Sequence, residues 1–149
     1  MTTPNFSDWL AICDTKARYC RCLDTKDWSG YADCFTEDFL LDTSGAGGYV
    51  VKGRDEAVRM IRGSVETAKT AHHVHSPEMV FNQDSADVIW AMQDRVVWGA
   101  DRAAKMGNAG HTGYGHYHEH YVRFSDGKWR IASQRLTRLH MDLHPLIGV

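Results

Sequence analysis

Over residues 7–23 the apolar positions Trp9, Ile12, Cys13, Ala17, Cys20 and Leu23 recur at helical spacing and predict a helix with Ser7 as its N-cap. After the break "DTKDW", Asp27 is placed to cap a second helix whose apolar stripe is Trp28, Tyr31, Ala32 and Phe35. "TEDFLLDTS" and "GGYVVKG" read as two short strands around a Gly-rich turn, Ser44 to Gly48. "RDEAVRMIRGSVETAK" returns to a helical rhythm, with Ala57, Val58, Ile61 and Val65 on one face. The second half changes period. Thr70–Phe81, a long Val-, Ile- and Trp-rich run from Ala86 to Ala103, Thr112–Phe124 and Trp129–Met141 read as strands. "KMGNAG" reads as a loop, and "SDGK" carries the Asp-Gly pair of a hairpin turn.

The expected order is two helices, two strands, a helix and four long strands. Long neighbouring strands with short turns form an antiparallel meander, which needs one face covered. The three helices ahead of it can supply that cover, giving an α+β fold in which a strongly curved six-stranded sheet closes around a cavity. The 149 residues suit one domain, 1–149, and show no internal repeat.

Composition narrows the function classes. A net charge of −2 gives no basic footprint for nucleic acid. No apolar run approaches a membrane span, and "MTTPNFSDWL" lacks a secretory leader, so a cytoplasmic chain is expected. The four cysteines, Cys13, Cys20, Cys22 and Cys34, match no zinc spacing and read as reduced thiols packed on helices. Five tryptophans, six tyrosines and nine histidines point instead to a pocket.

The histidines separate by strand parity. In "TAHHVHSPEM", His72 faces one way and His73 with His75 the other. His116, His118 and His120 share one strand face and could bind a metal if a neighbour supplied a further ligand. No zinc spacing is matched, so neither metal nor cofactor is expected.

Three stretches, "RYCRCLDTKDWSGYADCFTEDF", "TAHHVHSPEMVFNQDSADVIWAMQD" and "GHYHEHYVRFSDGKWRIASQRLTR", together resemble the NTF2-like or SnoaL-like cone. Within it the chain is most similar to the lyase group of scytalone dehydratase, bile-acid 7α-dehydratase and lindane dehydrochlorinase. The resemblance implies an Asp–His dyad, here Asp24 and His72, and a tyrosine five residues before the aspartate, here Tyr19. It also implies a polar pocket residue at His118 and an arginine at Arg135. Two pocket positions of scytalone dehydratase fall at Thr43 and Trp98, which differ from it.

A neutral imidazole titrates near working pH and can remove a proton from a weakly acidic carbon. A carboxylate on its other nitrogen fixes the tautomer and stabilises the imidazolium. Asp24 is the expected orienter and His72 the base, with Tyr19, His118 and Arg135 the candidate donors to a leaving group. On an ideal helix Tyr19 and Asp24 lie about 140° apart, so both reach one pocket only where it wraps the helix end. Trp28, Phe39, Tyr49, Trp90, Met92, Trp98 and His116 are the expected walls. The sequence thus suggests a lyase expelling water or another small group from an apolar small molecule, aromatic or polycyclic. An isomerase or cyclase of the same fold and a non-catalytic binding module are the alternatives. The resemblance implies a homotrimer, with a dimer as the other cone assembly.

Overall fold

A computed structural model describes residues 5–147. The helices are α1 (Phe6–Thr25), α2 (Trp28–Ala32), α3 (Arg54–Val65) and α4 (Ala100–Met106). The strands are β1 (Phe35–Asp42), β2 (Val50–Lys52), β3 (Lys69–Asn82), β4 (Ser85–Val97), β5 (Gly110–Arg123) and β6 (Trp129–His144). They form one six-stranded sheet in the order β2-β1-β6-β5-β4-β3. Every pairing is antiparallel except β1 with β6. The fold is the NTF2-like α+β cone. No helix among the described residues is long and apolar enough to cross a membrane.

Local chemistry sets the element ends. The α1 cap is Asn5, whose side chain accepts from the Ser7 amide at 3.1 Å; Ser7 lies inside the helix and is not its cap. Asp27 does cap α2, accepting from the Gly30 amide at 2.9 Å. Phe35, expected on the α2 stripe, instead opens β1 and is buried. The expected single strand from Ala86 to Ala103 stops at Val97, and α4 follows between Gly99 and the left-handed Gly107, φ 71°. Glycine carries that φ without a Cβ penalty, so the helix ends there.

Alternation along β4 sends Ala86, Val88, Trp90, Met92, Asp94 and Val96 inward. Tyr117 and Tyr121 of β5 and Trp129 and Ile131 of β6 meet them, while Ile12, Tyr19 and Leu23 of α1 close the other side. Each fully buried large apolar side chain contributes about 1.5–3 kcal/mol relative to exposure. Bulges adjust the facing. One between Tyr114 and Gly115 flips the parity of β6, so that Arg138 and Met141 both lie on the inner side. A Cβ at Gly115 would run into the Thr137 carbonyl. Gly115→Ala is therefore expected to cost about 1–3 kcal/mol, read as a lowered urea midpoint with unchanged slope.

Candidate active site

Asp24 stands at the C-terminal end of α1, and Lys26, two residues on, takes the left-handed cap conformation, φ 63°. β3 is the outermost strand on this side of the sheet, so its outward backbone groups are free to serve the helix end. The His72 amide donates to Asp24 Oδ2 at 2.8 Å, and the Thr70 hydroxyl donates to Oδ1 at 2.8 Å. The His72 ring then places Nδ1 2.7 Å from Oδ1. A carboxylate only accepts, so Nδ1 carries a proton, and in the neutral form of the ring Nε2 presents the lone pair. Lys26 Nζ donates to the Thr70 hydroxyl at 2.9 Å, completing a chain of donors around the carboxylate.

The His72 side chain is 9% exposed and that of Asp24 is 23% exposed. Burial raises the Asp24 carboxyl, but the hydrogen bonds and charge from His72 and the Thr70 bond outweigh it and hold it below its usual range. His73 and His75 are exposed on the opposite face of the strand. The expected Asp24–His72 hydrogen bond is thus present, with His72 turned inward.

His72 borders a cavity of about 130 Å³. Leu23, Leu41, Ile61 and Leu136 supply apolar wall, and Tyr19, Tyr31 and Tyr117 supply phenol rings. Tyr19 of α1 and His72 of β3 both border this cavity, while Asp24 stands behind His72 and does not line it. Gln134 Nε2 donates to the Tyr19 hydroxyl at 3.1 Å. Thr43 also contributes to the wall.

Among the described residues the carboxylate that lines the cavity is Asp94, directly across the strands from His72. Arg138 holds it with both terminal nitrogens, Nη1 at 2.5 Å and Nη2 at 2.7 Å, and His111 Nε2 lies 3.5 Å away. Burial raises the Asp94 carboxyl, but Arg138 and His111 outweigh it and hold it far below the usual range. Both carboxylates have folded pKa values under the ordinary 3.8. Their stabilisation is present above that value and is lost as pH falls through the folded values. Asp94→Asn is expected to flatten the acid side of the stability profile, measured by urea unfolding between about pH 2 and 6.

Below this cavity Lys16 Nζ meets Glu119 Oε1 at 2.6 Å, with both side chains fully buried. The Tyr121 hydroxyl donates to the other Glu119 oxygen at 2.6 Å. The Lys16 ammonium sits 3.5 Å from the Tyr19 ring centre and 4.0 Å from that of Tyr117.

Several expected site residues lie elsewhere. His118 and Arg135 face each other across β5 and β6 on the outer side of the sheet, away from His72. Inward positions on those strands belong to Tyr117, Glu119, Gln134 and Leu136, so parity turns their neighbours out. His118 Nε2 is 3.1 Å from the Thr137 hydroxyl, and its ring borders an outer groove of about 430 Å³ with Arg135, Asp87 and His120. His116 shares that outer face. Among the described residues no three His, Cys, Asp or Glu side chains converge to hold a metal ion.

The expected walls are also redrawn. Phe39 is fully buried against Phe35, and Trp90 and Met92 are buried in the core, but none borders the cavity. Trp28 packs edge-on against Tyr31, behind the wall. Tyr49 is 72% exposed. Trp98 sits past the end of β4, donating to Asn108 at 3.2 Å. The four cysteines are free thiols, and burial pushes those of Cys20 and Cys34 up to about 11.

A family model described as a SnoaL-like domain matches residues 5–135. The chain belongs to the SnoaL-like family. It is 28% identical over 138 residues to "Probable cyclase FGR4" of Gibberella zeae, covering 86% of this chain and 89% of that one. A scytalone dehydratase-like protein of Novosphingobium aromaticivorans superposes with a TM-score of 0.80 at 21% identity, over 97% of each chain. A hexachlorocyclohexane dehydrochlorinase superposes with a TM-score of 0.78 at 16% identity, over 97% of this chain and 92% of that one. These two structures share the SnoaL-like cone, and the chemistry must be read from the site itself.

Proposed function

We propose that the protein is a cofactor-independent lyase acting on a small, mostly apolar molecule. The observation that carries this is the Asp24–His72 hydrogen bond of 2.7 Å at the wall of a largely apolar cavity. A module that only binds ligand has no need of an imidazole fixed in one tautomer by a half-buried carboxylate.

In the proposed reaction His72 Nε2 takes a proton from a carbon next to a carbonyl or aromatic ring. The C–H electron pair forms the new double bond as the hydroxyl on the adjacent carbon departs. The imidazolium, stabilised by Asp24, returns its proton to the departing hydroxide, so that water leaves and the base is restored. Tyr19 is the donor proposed to assist the leaving oxygen, since it borders the same cavity.

The same proton abstraction without loss of water would serve an isomerase or cyclase. The relative named a probable cyclase favours that second reading.

The test is a panel of small hydroxylated aromatic ketones, followed by absorbance of the newly conjugated product and by mass. Loss of 18 mass units, the mass of water, supports the lyase. Products of unchanged mass support the isomerase or cyclase. No turnover of any compound by protein that binds them contradicts both.

A further inference from the structure

Among the described residues no Lys or Arg lines the cavity, and of the cations near it Lys16 and Arg138 are matched by carboxylates. Lys16 is held by Glu119, and Arg138 by Asp94. Lys26 reaches the Thr70 hydroxyl that itself donates to Asp24. The Arg138 guanidinium is the group best shaped to grip a carboxylate substrate in a two-point contact. Asp94 occupies both of its terminal nitrogens, at 2.5 and 2.7 Å. What the cavity wall presents in this region is the carboxylate side of the pair, with Asp24 behind His72. An anion entering would lose its hydration and meet no unengaged cation, whereas a neutral ketone pays little for the same transfer.

We infer that Asp94 is a specificity-determining residue: by engaging Arg138 it keeps the cavity selective for uncharged substrates and closed to carboxylates. This rests on the reading that the cavity is the substrate site. It predicts that Asp94→Asn, which removes one negative charge and loosens the grip on Arg138, turns the cavity into an anion site.

Acetophenone and benzoate test this, because they match closely in shape and differ in charge at about pH 7. Neither carries a leaving group, so their binding is independent of whether the lyase reading holds. His72→Ala turnover tests that reading separately. Calorimetric titration of the wild type is expected to favour acetophenone by at least about tenfold, a difference within the reach of one uncompensated charge. Asp94→Asn is expected to shift the ratio toward benzoate by a similar factor. The double variant Asp94→Asn/Arg138→Gln, neutral again, is expected to restore the preference for the ketone. If Asp94→Asn is too unstable to titrate, benzoate should still raise its melting temperature more than acetophenone does. A wild type that prefers benzoate or binds neither probe overturns the inference. So does a ratio that Asp94→Asn leaves unchanged.

Discussion

His72→Ala is expected to lower kcat/KM by about 10²–10⁴-fold while leaving the fold intact. The side chain points inward from β3, and its ring lies between Asp24 and the cavity and is not part of the apolar core cluster. Truncation leaves the apolar core cluster in place and takes away the ring nitrogen proposed as the base. Asp24→Asn tests the same unit from the other side. An Asn amide that donates to Nδ1 forces the proton onto Nε2, so the ring remains in place but cannot accept. The two single variants and the double should therefore lose similar activity, because residues that act as one unit are not additive. Steady-state kinetics on all three, with melting curves as the folding control, checks this. Additive losses would separate the residues.

Lys16→Met is expected to have the largest effect on stability. The ammonium is fully buried with Glu119, and burial alone would pull its pKa down; Glu119 outweighs burial and keeps it above its usual value. Without the cation, Glu119 is left buried with only the Tyr121 hydroxyl as donor. Breaking one side of such a pair costs about 3–5 kcal/mol. Lys16→Met combined with Glu119→Gln removes the uncompensated charge and should recover most of that loss. Urea unfolding of the two variants decides the matter. A double variant no more stable than the single would show that packing around Tyr19 and Tyr117, rather than charge, sets the cost.

Much of the cone was legible in the alternation itself. The row Ala86, Val88, Trp90, Met92 and Val96 fixes the inner face of β4, and parity in "TAHHVHSPEM" separates inward His72 from exposed His73 and His75. The same row passes through Asp94, and a carboxylate at an inward position was the available signal for the Arg138 pair. β5 misled because both of its faces carry polar or aromatic groups. Its inner face is Tyr117, Glu119 and Tyr121, and its outer face is the three histidines. Choosing Glu119 as the buried partner requires knowing that Lys16, 103 residues earlier, comes to meet it. Local pattern carries no such information. α4 was hidden because the Val96-Val97-Trp98 run before it has strand character, and its seven residues show too little periodicity.

The role proposed for His72 is to take a proton from a carbon of the bound molecule. Its most direct test is deuterium incorporation, followed by NMR, when a ketone that binds but lacks a leaving hydroxyl, such as acetophenone, is incubated with the protein in heavy water, because the abstracted proton can then only exchange and return. The wild type should wash deuterium into the carbon next to the carbonyl, and His72→Ala should leave that position unlabelled while still binding the ketone. Labelling at the wild-type rate in His72→Ala would contradict the account.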